Sequence, residues 1–183
     1  MQSSDYKFVR LSDIDPGPKC PDVVRMIVEI PRNSSNKYEF DIGLGVFKLD
    51  RPLYSPMHYP GDYGFIPGTI ADDGDPMDVL TLVDEPSFPG CLMEVRPLAL
   101  LDMIDNAAAD QKVLAVPARD PRFEQMRAVE DIPAHTRKEI EHFFQIYKEL
   151  ENKIVRTQGW LDGAEARRHI LKGRERFLQQ PRG

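Results

Sequence analysis

Three carboxylates crowd into the six residues Asp73-Gly74-Asp75-Pro76-Met77-Asp78, near the middle of the chain. Gly74 allows unusual backbone angles, while Pro76 fixes φ and removes a hydrogen-bond donor, so the segment is a turn rather than a helix. Two such charges 4 Å apart repel by about 4 kcal/mol at an effective dielectric of 20. Carboxylates therefore stay this close only in water or around cations, and all-oxygen ligands favour hard cations such as Mg²⁺ or Ca²⁺.

Two other interpretations account for an acidic segment of this kind. An acidic turn rich in Gly and Pro is most often a solvated loop. An EF-hand calcium loop needs oxygen ligands at its first, third and fifth positions and a glycine at its sixth. Counted from Asp73, the fifth position is Met77 and the sixth is Asp78, so the calcium-loop pattern does not fit.

A second set of ionisable and aromatic side chains is spread along the chain. Asp105 and Asp110 follow an apolar run, and Lys112 comes two residues later. Taken one at a time, acids and bases of this kind are typical of solvated surface, and the tyrosines are typical of packing residues. Their combination is what indicates a site. The other candidates are Glu29, Lys37, Glu39, Arg51, Tyr59, Tyr63, Tyr147 and Lys148.

Short strands must position these residues in the first two thirds of the chain. Apolar and polar residues alternate over 23–30, which predicts a strand. The alternation over 37–40 and 46–49, with glycines between, predicts a hairpin. Further apolar runs of strand length lie at 79–83, 91–101 and 113–116. The Pro- and Gly-rich segment 54–68 and the acidic, Ala-rich segment 102–112 are expected to be connections.

Two helices are predicted near the C-terminal end. The first covers 133–150, with an apolar face at helical spacing formed by Ile140, Phe143, Phe144, Tyr147 and Leu150. The second begins at the capping box Asp162-x-x-Glu165, with Ala166, Ile170 and Phe177 facing inward. Strands before helices predict an α+β fold, and several short strands are typical of a small closed barrel. We expect one domain over 1–183, with an extended lead-in over 1–22.

The composition limits the classes of protein that the chain can belong to. Its 183 residues suit a single domain with a substantial core. The net charge of −6 argues against a general nucleic-acid-binding protein. Cys20 and Cys91 lack metal-binding spacing and are expected to be reduced thiols, as in a cytosolic protein. No signal-peptide pattern and no apolar run of membrane-spanning length is evident.

Together these residues resemble the family I soluble inorganic pyrophosphatases of prokaryotic type. The family's acidic signature, D-[SGDN]-D-[PE]-[hydrophobic]-D-[hydrophobic], is present in full from Asp73 to Val79. The resemblance extends over about residues 23–160. Its flanking segments are Glu29-Ile30-Pro31, Lys37-Tyr38-Glu39, Asp50-Arg51, Tyr59-Pro60, Asp62-Tyr63-Gly64, Asp105 to Asp110 with Lys112, Ala115-Val116-Pro117, His142-Phe143-Phe144 and Tyr147-Lys148.

The resemblance implies a five-stranded OB-like closed β-barrel with two main α-helices packed outside it. It also implies Mg²⁺-dependent hydrolysis of pyrophosphate to two orthophosphates by a metal-activated water, without a covalent phosphoenzyme. Several Mg²⁺ ions per site are expected, with Mn²⁺ or Zn²⁺ as substitutes. The resemblance further implies a cytoplasmic homohexamer, built as a dimer of trimers, with no nucleic-acid or membrane partner.

Roles carried over from the family fall on individual positions of this chain. Asp75 would be the general base, and Tyr63 would be the second catalytic residue, lining the site and hydrogen-bonding within it. The metal ligands would be Glu29, Glu39, Asp73, Asp78, Asp105 and Asp110. The groups that bind the substrate would be Lys37, Arg51, Tyr59, Lys112, Tyr147 and Lys148. The helical spacing places Tyr147 in the core, which is compatible with a hydroxyl at the edge of a cavity.

The chain departs from the family's pattern at one loop, and two functions other than pyrophosphate hydrolysis remain open. Many relatives carry acidic or Gly residues where this chain has Asn106-Ala107-Ala108-Ala109, which bears on the weaker metal sites rather than on catalysis itself. A metal-dependent phosphohydrolase acting on nucleotides is one alternative. An OB-type module that binds oligonucleotides is the other, and the net charge of −6 argues against it.

Overall fold

The computed structural model describes residues 11–180, which form nine β-strands and two α-helices. The strands are β1 (Val24–Ile30), β2 (Asn36–Asp41), β3 (Val46–Pro52), β4 (Asp62–Ile66), β5 (Met77–Thr81), β6 (Leu92–Asp105), β7 (Ala108–Ala109), β8 (Lys112–Pro117) and β9 (Val155–Asp162). The helices are α1 (Ala134–Ile146) and α2 (Gly163–Gln179), and short 3-10 helices cover Leu11–Asp13, Pro121–Phe123, Val129–Asp131 and Glu149–Glu151. Most strands precede the helices, which confirms the predicted mixed α+β fold.

The larger sheet has seven strands, and five of them pair around a ring. Strand β1 pairs with β4 and β6, β4 with β5, β5 with β8, and β8 with β6. These pairings are antiparallel, except that β5 and β8 are parallel. Strands β7 and β9 also pair with β6, whereas β2 and β3 form a separate hairpin. The 14-residue strand β6 therefore pairs with four other strands.

Two apolar clusters connect the sheet to the helices. The first contains Phe143 and Phe144 of α1 together with Tyr63 of β4. The second contains Ala166 and Ile170 of α2 together with residues of β1 and β5. The two helices therefore pack on different parts of the core.

Strands β1 and β4 approach each other closely where Val28 lies opposite Gly64. A Cβ atom at Gly64 would overlap the carbonyl oxygen of Ile27, so only glycine allows this approach. The register shifts between Val28 and Ile30, which places Glu29 at an irregularity of the strand. Irregularities of this kind change the direction of a side chain.

Several elements differ from the sequence expectations. Residues 62–66 and 155–162 form strands that were not predicted, and β6 continues to Asp105. Strand β4 is buried along its whole length, so it lacks the alternation that reveals a half-buried strand. The predicted helix over 133–150 ends at Ile146, and Leu150, expected on its apolar face, is exposed.

The second helix begins where the capping box predicts. The Asp162 side chain accepts a hydrogen bond of 2.8 Å from the backbone N–H of Glu165. Ala166 and Ile170 are buried, but Phe177 is only partly buried. Of the predicted lead-in over 1–22, residues 1–10 lie outside the described part. Residues 11–22 contain a 3-10 helix and turns rather than a continuous extended segment.

Within residues 11–180, neither helix combines the length and the apolar composition that crossing a bilayer requires.

Candidate active site

A cleft of about 410 Å³ opens beside the acidic turn. Most of the residues predicted for the site line its walls: Glu29, Lys37, Glu39, Tyr63, Asp73, Asp75, Asp78, Asp105, Asp110, Lys112, Tyr147 and Lys148. Arg51 and Tyr59 are the two predicted residues that do not line it. Residues far apart in sequence therefore meet in one place.

The acidic turn is held in shape by its own backbone. The Ala71 N–H donates to the Asp75 carbonyl at 2.7 Å, and the Asp75 N–H donates to Asp73 Oδ1 at 3.1 Å. Gly74 has a φ of +97°, which suits glycine. Partial burial, together with the negative charges of Asp73 and Asp78, raises the pKa of Asp75 above its ordinary value. A carboxylate with a raised pKa is a better proton acceptor.

Lys112 bridges two of the carboxylates. Strands β5 and β8 run parallel with Val79 beside Val113, which brings Asp78 next to Lys112. The Lys112 ammonium donates to Asp78 Oδ2 and to Asp110 Oδ1, and the residue is only 4% exposed. Burial lowers the pKa of Lys112, but the two carboxylates outweigh this effect and raise it above its usual value. The lysine is therefore charged and neutralises the two partly buried acids.

A tight hairpin between β6 and β7 brings Asp105 and Asp110 to the same cleft. Asn106 and Ala107 form its turn, with φ values of +47° and +70°. Two successive positive φ values are typical of a type I′ hairpin turn, which normally prefers glycine at its second position. Ala107 therefore occupies a strained position. The backbone N–H of Asp110 then donates to the Met103 carbonyl at 2.9 Å.

Lys148 pairs with the other acid of this hairpin. Its ammonium donates to Asp105 Oδ2 and lies 5.1 Å from the centre of the Tyr147 ring. The second oxygen of the same carboxylate, Oδ1, is buried and has no hydrogen-bond partner. A buried oxygen of this kind is costly unless another group binds it.

The hairpin β2–β3 forms another wall of the cleft. Lys37 Nζ donates to Glu39 Oε1 at 2.5 Å and lies 3.3 Å from Asp50 Oδ2. The backbone N–H of Phe40 donates to Glu29 Oε1 at 2.8 Å, which ties the hairpin to β1. Burial raises the pKa of Glu29 to about 7, although the Phe40 hydrogen bond opposes the shift.

Aromatic residues form part of the cleft lining. Tyr147, which follows α1, stacks on Phe143 with ring centroids 5.2 Å apart. Burial raises the pKa values of Tyr63 and Tyr147 above the ordinary value, so both hydroxyls stay protonated. The prediction that Tyr147 belongs to the core and also reaches the cavity is consistent with this position, because it is 6% exposed and lines the cleft.

Arg51 and Tyr59 lie behind the cleft wall. The Arg51 guanidinium donates from Nε and Nη2 to Glu151 Oε1 at 2.9 and 2.6 Å, and from Nη1 to Asp50. Tyr59 is 1% exposed, and its ring centroid lies 5.5 Å from that of Tyr63. In this structure Arg51 is therefore held by acidic side chains, and Tyr59 supports the ring of Tyr63.

Sequence reasoning missed several residues of this region. The apolar or small residues that complete the cleft lining are Tyr38, Phe40, Ile42, Phe65, Pro76, Ala108 and Ala109. The side chain of Glu151, the partner of Arg51, is only 8% exposed. No sequence signal identified Glu151, because it lies 100 positions from Arg51 and just beyond the helix predicted over 133–150.

The donor chemistry of the cleft fits a hard divalent cation. In the described part of the chain, no three acidic, His or Cys side chains are already arranged as a metal-binding group. Lys112 and Lys148 pair with oxygens of three of the carboxylates, Asp78, Asp110 and Asp105. The available donors are carboxylate oxygens, including the unpartnered Oδ1 of Asp105, and such donors suit Mg²⁺.

The fold and the cleft define a mixed α+β protein with a site of carboxylates and lysines. The family model described as inorganic pyrophosphatase matches residues 26–178. An inorganic pyrophosphatase from Nostoc sp. is 49% identical over 152 residues, which are 83% of this chain and 89% of that protein. One from Methanosarcina mazei is 47% identical over 155 residues, 85% of this chain and 92% of that protein.

A solved structure gives the same result for the fold. The crystal structure of inorganic pyrophosphatase from Thermus thermophilus has a TM-score of 0.90 and 43% identity, and the match covers 93% of this chain and 99% of that one. The chain therefore belongs to the inorganic pyrophosphatase family.

Proposed function

We propose that this chain hydrolyses inorganic pyrophosphate to two orthophosphates in the cleft, with a metal-activated water and without a covalent phosphoenzyme. Membership of the inorganic pyrophosphatase family supports the reaction. The observation that carries the proposal is the convergence of carboxylates from four separate segments on one cleft, with Lys112 and Lys148 between them. Such a cleft repels a polyanion unless cations are also bound.

Bound Mg²⁺ would neutralise the substrate and lower the pKa of the attacking water. Mn²⁺ and Zn²⁺ are proposed substitutes. The all-oxygen donor set and the unpartnered Asp105 Oδ1 support this choice of cation. The proposed ligands are Glu29, Glu39, Asp73, Asp78, Asp105 and Asp110, all of which line the cleft.

Asp75 is the proposed general base. Its carboxylate lines the cleft, and its N–H is already held by Asp73, so the side chain is positioned by the turn itself. Partial burial and the acids around it raise its pKa, which increases its basicity towards a water proton. Tyr63 is proposed as a neighbouring hydroxyl donor, because burial keeps it protonated.

The proposed substrate-binding groups are the bases and tyrosines around the acids. Lys112 and Lys148 now donate to carboxylates, and when those oxygens bind cations the ammonium groups can donate to phosphate oxygens instead. Lys37 and Tyr147 line the cleft directly. Arg51 and Tyr59 are proposed to support the substrate-binding residues indirectly. Arg51 contacts Asp50, which also contacts Lys37, and the ring of Tyr59 packs against that of Tyr63.

The decisive experiment measures orthophosphate release from pyrophosphate with Mg²⁺ and with EDTA, and from ATP in parallel. We expect fast Mg²⁺-dependent release from pyrophosphate and little from ATP. Comparable turnover of ATP would instead support the nucleotide-directed alternative. Absence of release with Mg²⁺, Mn²⁺ and Zn²⁺ would contradict the proposal.

The role of Asp75 has its own test. Asp75→Asn should keep the fold and lower the rate about 100-fold or more, since positioned general bases contribute about 10²–10⁴. Circular dichroism and the steady-state rate are the measurements. Asp22→Asn, at an 80% exposed side chain outside the cleft, is the matched control and should keep the wild-type rate. An unchanged rate in Asp75→Asn would remove it as the base.

We also propose a wider context for this activity. The ring of five strands is proposed to be the OB-like closed barrel, within a single domain over 1–183. The resemblance to prokaryotic relatives supports a homohexamer, which sedimentation equilibrium would report as six times the mass of one chain. The two free thiols, Cys20 and Cys91, support a cytoplasmic location. The net charge of −6 supports a small-molecule substrate over nucleic acid.

A further inference from the structure

Helix α2 contacts the acidic turn from the side that does not face the cleft. The backbone N–H of Ile70 donates to the Gly173 carbonyl at 3.0 Å. The Arg176 guanidinium pairs with Asp72, which does not line the cleft. Met77, buried at the start of β5, packs against Gly173. One contact, at Ile70, lies just before residues 71–78, and the other two, at Asp72 and Met77, lie within them.

Gly173 allows the helix to come this close. A Cβ atom there would lie 2.5 Å from Met77 Sδ and 3.1 Å from the carbonyl oxygen of Ile70. The first distance is shorter than any van der Waals contact. The second is also short, so the Cβ atom would displace the backbone that leads into the turn. A glycine within a helix lowers helix stability by about 1 kcal/mol relative to alanine. At this position the glycine also allows the close packing of α2 against the turn.

The charges of α2 also complement the turn. Asp72, Asp73, Asp75 and Asp78 carry four negative charges within seven residues. Arg176, Lys172 and His169 are the groups of α2 whose charges act on Asp72. The helix therefore neutralises the one aspartate that points away from the cleft and leaves the other three for the site.

We propose that α2 is a brace that sets the position of the 71–78 turn, with Arg176 and Gly173 as positioning residues for the cation site. The proposal rests on the proposed function for its effect on Mg²⁺. The contact itself can be tested without metal or substrate, so failure of one is distinguishable from failure of the other.

The first experiment follows hydrogen exchange of the turn in the metal-free protein. An ion pair between partly exposed groups is worth up to about 1 kcal/mol, equivalent to about five-fold in an opening equilibrium. Arg176→Gln should therefore speed exchange of the 71–78 amides by up to about five-fold. Arg168→Gln is the matched control, because Arg168 lies on the same helix and pairs only with Glu165 among the described residues. It should leave the turn unchanged.

The second experiment measures the Mg²⁺ concentration that gives half-maximal pyrophosphate hydrolysis. Arg176→Gln should raise it several-fold while the maximal rate at saturating Mg²⁺ stays close to wild type, and Arg176→Lys should restore much of the loss. Asp72→Asn should have the same effect, and combining it with Arg176→Gln should add nothing, because both remove one contact. Gly173→Ala should also raise the Mg²⁺ concentration that gives half-maximal hydrolysis, although alanine favours the helix.

The outcomes separate the two hypotheses. Unchanged exchange of the turn in Arg176→Gln, or equal acceleration in Arg168→Gln, would overturn the brace. Altered exchange with an unchanged Mg²⁺ requirement would restrict α2 to a structural role and overturn its link to the cation site. A wild-type protein that fails to hydrolyse pyrophosphate would refute the proposed function, and the exchange experiment would still decide whether the contact holds the turn.

Discussion

Removal of the Lys112 ammonium should destabilise the metal-free protein and make it depend on Mg²⁺. Lys112→Met keeps an unbranched side chain one atom shorter than lysine but leaves Asp78 and Asp110 without the cation between them. Truncating one partner of a buried ion pair costs about 3–5 kcal/mol. Here the two carboxylate side chains are 27% and 17% exposed, so water screens part of their charge. We therefore expect a loss of about 2 kcal/mol in the free energy of unfolding.

Thermal unfolding with EDTA and with Mg²⁺ measures this effect. A loss of about 2 kcal/mol corresponds to a melting temperature lower by about 4–8 °C for a chain of this size. A cation at 100 times its dissociation constant restores about 2.7 kcal/mol. Mg²⁺ should stabilise Lys112→Met more than wild type, because the lysine no longer competes for the same oxygens.

Lys48→Met is the matched control for this prediction. Lys48 is 50% exposed and lies 3.4 Å from Asp41 Oδ2, so its loss should cost less than about 0.5 kcal/mol, with no added response to Mg²⁺. If Lys112→Met and wild type had the same melting temperature in EDTA, the reasoning would be refuted. Equal stabilisation of both proteins by Mg²⁺ would refute the competition between lysine and cation.

Two further predictions concern the free energy of unfolding in EDTA. Burial raises the pKa of Glu29 to about 7, so the folded protein binds this proton more tightly than the unfolded chain, and stability falls as pH rises from about 4.5 to about 7. In urea unfolding, Glu29→Gln should have a larger free energy of unfolding than wild type at about pH 8 but not at about pH 4.5. A difference between the two proteins that does not change with pH would contradict this. Ala107→Gly should raise stability by about 1 kcal/mol, because glycine tolerates the φ of +70°, whereas Ala108→Gly in β7 should not.

Local patterns were enough to predict part of this fold. The alternation over 37–40 and 46–49 identified the β2–β3 hairpin, and the capping box located the start of α2. These features depend on neighbouring residues, so the sequence carries them directly. The acidic turn was recognised for the same reason, because its three carboxylates lie within six residues.

Long-range partners could not be read from local patterns. The pairing of β1 with β6 joins Val24 to Val95, and nothing in either segment specifies the other. Buried β4 shows no alternation, and β9 follows a stretch expected to be helical. The clustering of site residues in one cleft was predicted only through resemblance to a family. The bond between Arg51 and Glu151 was not predicted, because it arises from the path of the chain after α1.

The order of the strands in the ring has a consequence for how the chain folds as it is synthesised. Strand β8 lies between β5 and β6, although both precede it in the sequence. Until residues 112–117 are available, β5 and β6 each present an unpaired edge, which is where chains associate wrongly. Pairings between distant segments also form slowly. We therefore expect a nascent chain that ends before β8 to expose both of these edges, and exposure to chaperones should matter at that length.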